Sequence, residues 1–483
     1  MRMGHIFIYL ALGALISGQG LFAQDDEFQK WLEKDQAQFK QFVEQEDKDF
    51  AEFLKKDWQA FLTEQGIKTF SRPKPPKMPV AREEDKPKPQ VPVKKIEELP
   101  LPPPKPVVKP KPRPLPRPQK QAITVNFYGA RLNFPAVRLK SINLKSPLTS
   151  EKISQAWLAM AATDYKPLVS ALQQTQKQLL LNDWAFLELI DKAVRKNFAN
   201  DPNICTAYNW FLLNKLGYDA KVAFKADKLF LLMPSKNTIF EQPFVKINNQ
   251  RYYFISLNER LNLSGKIRTY RGTFKNADQP LRLTLNRLPV FAITPGEKAM
   301  HFTFNGKQYQ LSAQYDVQLV RFLENYPQTD LTVYFAAPVS GELNYSLLTQ
   351  LRPMVQGKSE LEAVNLLLRF VQTAFKYQTD DQQFGREKCL LPDETLYYPA
   401  SDCEDRSVLF AFLVRHLLGL EIIGLDYPNH IATAVCFNSQ IPGAAVEYKG
   451  KRFVICDPTY INADAGMVMP DFKDVNPKII ELK

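Results

Sequence analysis

Among the 483 residues, Cys403, His430 and Asp457 have the types and surroundings for joint chemistry. A cysteine attacks as its thiolate, an imidazole takes and returns a proton near neutral pH, and a carboxylate can hold that imidazole in one tautomer while stabilising its cation. Cys403 lies within Ser401-Asp402-Cys403-Glu404-Asp405-Arg406, ahead of an apolar run through Val408, Leu409, Phe412, Leu413, Leu417 and Leu418 toward Gly419. Ser401 followed three residues later by Glu404 predicts a capping box, and so a helix with Cys403 in its first turn. A helix N-terminus favours a thiolate by only about 0.3 to 2 kcal/mol, whereas reaching the acidity of a His-paired cysteine takes roughly 7 kcal/mol. A cationic partner is required.

Past the first residues the chain offers His301, His416 and His430 for that role. His416 falls thirteen residues along the same helix, about 20 Å from Cys403 at roughly 1.5 Å per residue. His430 opens the alternating run His430-Ile431-Ala432-Thr433-Ala434-Val435-Cys436-Phe437, and a second strand, Lys451-Arg452-Phe453-Val454-Ile455-Cys456, ends at Asp457. Antiparallel pairing with His430 opposite Asp457 predicts an imidazole beside a carboxylate.

These residues resemble the transglutaminase-like superfamily, a branch of the papain-like cysteine enzymes. The helix-borne Cys403 with Glu404-Asp405, His430 at a strand start and Asp457-Pro458-Thr459 after the next strand occur in that family's order. The resemblance covers roughly residues 358–465, including a preceding helix over residues 359–377. It implies Cys403 as nucleophile, His430 as general base and acid, and Asp457 as the orienting group, with no cofactor and no metal. Departures from the family pattern are Ser401 in place of a frequent Gly, Ile431-Ala432 after the histidine, and a slightly long Cys-to-Gly helix.

The whole chain reads as α+β. Residues 1–23 look like a signal peptide, with Arg2 ahead of an apolar stretch over residues 6–16; an uncleaved anchor is the rival reading. Residues 24–70 predict an amphipathic helix, because Phe28/Trp31/Leu32, Phe39/Phe42/Val43 and Phe50/Phe53/Leu54 recur every eleven residues, with Trp58/Phe61/Leu62 eight further on. An eleven-residue period keeps an aromatic stripe on one helix face, suited to a partner helix or to self-association.

Residues 71–120 form a Pro/Lys-rich segment holding seventeen of the 36 prolines, and fourteen Lys and Arg against five acids within residues 72–120. Such composition predicts an extended linker, roughly 150 Å long at about 3.1 Å per residue. It also localises the net charge of +12. With no interleaved aromatics the basic run is not a nucleic-acid surface; contact with an anionic envelope surface is the functional alternative.

Residues 121–262 repeat the order of helix, helix with a cysteine near its start, Leu-Gly, then strands, and are expected to be a degenerate copy of the 351–483 catalytic module. Lys228 would stand where His430 stands and Ser256 where Asp457 stands, and Cys205 is expected to be a buried helix residue. Residues 263–350 are expected to be β-rich, with a hairpin turning at Asn305-Gly306; His301 in that hairpin is an ordinary strand residue. Five cysteines is an odd count, and the assumed strand register keeps Cys436 and Cys456 apart; a Cys389–Cys403 bridge and a zinc site of Cys403, His430 and Asp457 are minor alternatives. The expected activity is that of an exported, periplasmic or envelope-associated thiol hydrolase, a protease or amidase acting on a protein or peptide substrate. A protein cross-linking acyltransferase and a non-catalytic polypeptide-binding adaptor are the alternatives. The upstream residues Gln382, Gln383, Tyr397 and Tyr398 are candidates for a second oxyanion donor.

Overall fold

The computed structural model describes residues 41, 44–68, 77–87, 96, 99–100, 122–138, 142–198, 201–257, 261 and 263–482. The leader and the first two aromatic repeats lie outside these residues. The fold is α+β, built around two antiparallel sheets, each with helices packed on one face.

The first sheet runs, in spatial order, Trp58–Leu62, Lys266–Tyr270, Lys221–Lys225, Lys228–Pro234, Gln250–Ile255 and Phe244–Ile247. Glu64 bridges to Phe244, so the chain beyond the first strand reaches the opposite edge and brings the sheet near to a closed barrel. Closure of this kind removes exposed edges that would otherwise pair with other chains. The second sheet runs Ala445–Tyr448, Lys451–Cys456, His430–Cys436, Glu421–Tyr427 and Lys478–Ile480.

Four strands of each sheet follow the same route with the same register. Thr433 pairs with Cys456 in the second sheet, and Leu231 pairs with Ile255 in the first, each three residues into its strand. A helix precedes each set and packs on the equivalent strand: Pro202–Lys215 on Lys228–Pro234, and Cys403–Leu413 on His430–Cys436. Both helices are driven inward by apolar residues on most faces, and every residue of Cys403–Leu413 is buried. Asp183–Asn197 and Glu360–Thr373 are the corresponding preceding helices, the second capped by Ser359 and ending earlier than the expected residue 377.

Three expectations need correction. The amphipathic helix of residues 24–70 stops at residue 56, and Trp58–Leu62 is a strand paired with Lys266–Tyr270. The eight-residue spacing before Trp58 marks the break; the edge of Lys266–Tyr270 supplies backbone partners that a helix could not use. Phe50 of the repeat is buried against Trp157, Trp210, Tyr270 and Phe274, so the described part of the stripe is packed into the protein's own core. Each such burial contributes about 1.5 to 3 kcal/mol.

Residues 263–350 are mixed rather than β-rich. Lys266–Tyr270 belongs to the first sheet, Pro295–Phe304 and Lys307–Asp316 form the expected hairpin through Asn305 and Gly306, and three helices follow. The described parts of the linker are not a free stalk. Ala81 N–H donates to the Ile461 carbonyl at 2.7 Å, Ile96 N–H to Lys358 at 2.8 Å, and Arg352 Nη1 to the Pro100 carbonyl, all on the C-terminal module. Proline-rich chain cannot build a core, but its carbonyls remain acceptors. Among the described residues no helix is long and apolar enough to cross a membrane.

Candidate active site

The helix carrying Cys403 starts one residue later than the sequence predicts. Asp402 is its N-cap, and the Asp405 carboxylate accepts the Asp402 N–H at 3.1 Å. The Ser401 hydroxyl instead accepts from Arg406 Nε at 3.1 Å. Cys403 is thus the first helical residue. Four residues on, Ser407 donates to the Ile431 carbonyl at 3.1 Å, which ties the same helix face to the start of the His430 strand.

His430 Nε2 lies 2.7 Å from Asp457 Oδ2. That bond leaves Nδ1 as the ring nitrogen available for the thiol. The pairing is achieved by a different register from the expected one: Thr433, not Ile431, is opposite Cys456, a shift of two residues that preserves which face each side chain occupies. Asp457 reaches back from the turn after its strand. Its Oδ1 accepts from the Thr459 N–H at 2.9 Å, the Thr459 hydroxyl at 2.8 Å and the Tyr460 N–H at 3.2 Å, and these bonds aim the other oxygen at the imidazole. Burial pushes the carboxyl up, but the charge and hydrogen bond of His430 and the bonds from Thr459 outweigh it and hold Asp457 below its ordinary value. Gln372 braces the same turn, donating to the Asp457 carbonyl at 3.1 Å and the Ala463 carbonyl at 3.0 Å.

Cys403 Sγ donates to Glu404 Oε2 at 3.0 Å, the hydrogen bond of a resting thiol. The site is closed to solvent: Cys403 is 2 %, His430 4 % and Asp457 2 % exposed. Phe472 lies flat over His430, with ring centroids 5.2 Å apart and 8° between planes.

Arg406, named above only within the hexapeptide around Cys403, braces the start of that helix. Fully buried, it donates to the carbonyls of Gln372 at 3.1 Å and Phe375 at 2.9 Å as well as to Ser401. Burial lowers its pKa to about 10, against the pull of Asp402, Tyr377, Asp405 and Cys403, so it stays a cation beside the helix start. Gln372 and Phe472 were also missed; a lone glutamine on the buried face of Glu360–Thr373 is the only signal either left in the sequence.

Of the candidate oxyanion donors, Gln382 uses its carbonyl oxygen on the Thr379 N–H and Tyr397 is exposed. Gln383 differs. Its amide Nε2 is buried without a hydrogen-bond partner, and it lies three residues from Asp380, whose carboxylate falls within 4.8 Å of those of Asp402 and Asp405.

Burial raises the thiols of Cys205, Cys389, Cys436 and Cys456 above the ordinary value, and all five cysteines are free. Among the described residues, donors close enough to share a metal ion fall into Asp402-Cys403-Glu404 and Asp380-Asp402-Asp405; the set Cys403, His430 and Asp457 is not one of them. Asp380 and Asp405 already accept the N–H groups of Lys388 and Leu390, at 2.9 and 2.7 Å. His416 bonds the Phe412 carbonyl within its own helix and His301 is an exposed strand residue paired with Gln310.

No protein-family model, no curated protein and no solved structure matches the chain.

Proposed function

We propose that the protein is an exported thiol hydrolase, a protease or amidase of the transglutaminase-like kind, with Cys403 as nucleophile, His430 as general base and acid and Asp457 as the orienting group. The observation that carries this reading is the His430–Asp457 pair at 2.7 Å, fixed by Thr459, at the strand end against which the Cys403 helix packs. In the working site the thiol gives its proton to His430 Nδ1 and turns from Glu404. The sulfur adds to the substrate carbonyl, and the oxyanion is held by the Cys403 N–H and Gln383 Nε2. The C–N bond then breaks as His430 returns the proton to the leaving amine. Water, deprotonated by His430, attacks the thioester to release the acid and restore the thiol. An amine in place of water would make the same site a cross-linking transferase.

The test is incubation of the parent protein and Cys403→Ala with envelope extract and a labelled primary amine. New fragments seen only with the parent support hydrolysis, and label built into proteins supports transfer. The absence of both would sink the catalytic reading. A second reading, a polypeptide-binding adaptor without chemistry, draws on the closed site and the Cys403–Glu404 bond. It requires Cys403 to react with iodoacetamide near pH 6 no faster than the other four cysteines.

A further inference from the structure

The described residues 77–87 cross both elements that carry the site. Met78 Sδ accepts from Arg406 Nη1 at 3.1 Å, three residues past the nucleophile. Ile461 N–H donates to the Pro79 carbonyl at 3.0 Å while Ala81 N–H donates to the Ile461 carbonyl at 2.7 Å, four residues past Asp457. Val80 and Ile461 therefore form a parallel β-bridge. Ala81 is buried in a cluster with Tyr460, Met467 and Met469, and Phe472, whose ring covers His430, packs against that same cluster. Val80 between these anchors points out, 61 % exposed. Farther along, Lys86 pairs with Asp464 at 3.4 Å, and Pro87 lies against Gly466, where a Cβ would come within 3.3 Å of its ring.

Backbone bonds on both sides of one residue, with side chains alternately seated and exposed, are how an extended peptide is gripped by strand addition. The partner here is the chain itself. We propose that the main chain at Ile461, with the Arg406 side chain and the Tyr460/Met467/Met469 cluster, is the polypeptide-binding groove of the site, and that residues 77–87 fill it as an intramolecular ligand. The groove takes an extended segment with a thioether or similar apolar side chain three residues before a small one, and binding of such a segment from another protein displaces the resident one. Cleavage of a bound segment by Cys403 would rest on the hydrolase reading; the grip does not.

The experiment uses the full chain carrying Cys403→Ala, with and without Ala81→Pro, which deletes the N–H donated to Ile461. The probe is a fluorescein-labelled synthetic peptide with the sequence of residues 77–87, read by anisotropy. A tethered occupant competes at an effective concentration in the millimolar range, so the Ala81→Pro chain should bind the peptide at least about ten-fold more tightly than its parent. Met78→Ala, which leaves every backbone bond in place, should show a smaller gain in the same direction and serves if Ala81→Pro fails to fold. Equal binding to parent and variants, no binding to any, or equally tight binding of a scrambled peptide would overturn the proposal. With Cys403 present, Ala81→Pro should also speed alkylation of Cys403, and added peptide should slow it again. If Cys403 proves unreactive throughout while the anisotropy difference persists, the hydrolase reading fails and the groove stands.

Discussion

The hairpin Lys221–Lys225/Lys228–Pro234 and the hairpin Glu421–Tyr427/His430–Cys436 each turn through two residues, and the second strand starts with a lysine in one and a histidine in the other. Carried around both modules, the correspondence continues. Asp201 and Asp402 are the N-caps of the equivalent helices, so Pro202 occupies the place of Cys403 and Cys205 that of Arg406; after the last shared strand Ser256 occupies the place of Asp457. Cys205 Sγ bonds the Phe198 carbonyl at 3.6 Å just as Arg406 bonds the Phe375 carbonyl, each facing the end of the preceding helix. One framework therefore tolerates both sets of residues. The proposed chemistry would need the second module's residues at these positions, and their replacement in the first module leaves the topology unchanged.

Breaking that difference gives the predictions, the largest first. Cys403→Ala should abolish peptide or amide hydrolysis, a loss of at least about 10³-fold, with no change in thermal unfolding. His430→Ala should likewise remove the fast alkylation of Cys403 near pH 6, leaving it at the rate of an ordinary thiol. Arg406→Cys, which copies the first module, should cost about 3 to 5 kcal/mol in denaturant unfolding, because the carboxylates of Asp402 and Asp405 lose their buried cation. Gln383→Ala should lower kcat by about 10²-fold and leave KM nearly unchanged, as expected of a donor used only by the oxyanion.

The smallest effect belongs to the first module. Burial raises Glu188 to about 7 despite the hydrogen bond from Tyr128, so this carboxyl, unlike Asp457, is disfavoured as an anion. Its contribution to stability is full below the ordinary value near 4.5 and is lost as pH rises through about 7. Glu188→Gln should therefore stabilise the protein by roughly 1 to 2 kcal/mol above pH 7 and not at all near pH 4, measured by unfolding across that range.

The sequence exposed the imidazole–carboxylate pair because a strand start, a strand end and alternating apolar residues constrain where side chains can meet. The two-residue error in register left the pair intact, since a shift of two keeps each residue on its face. The cap was misplaced because Ser401/Glu404 and Asp402/Asp405 offer the same chemistry one residue apart, and the fold turns the Ser401 hydroxyl to Arg406. Trp58–Leu62 could not be read as a strand: its partner Lys266–Tyr270 lies some two hundred residues away, and nothing local signals an open edge. The seat of residues 77–87 was hidden for a related reason, since its central grip at Ile461 is made by main-chain atoms that carry no sequence signal.

The order in which the chain visits its two modules has a further consequence. Residues 44–67 are built into the first, the described residues 78–87, 96, 99 and 100 lie on the second, residue 122 onward returns to the first, and the last third completes the second. The polypeptide is laced through both bodies, so a cut between positions 101 and 121 would leave two fragments that still clasp each other. A piece begun at residue 122 would lack the edge strand of its own barrel, and a piece begun at residue 351 would lack its strap. Neither half is a free-standing unit, and excising one for study would leave an open seam where the missing stretch belongs.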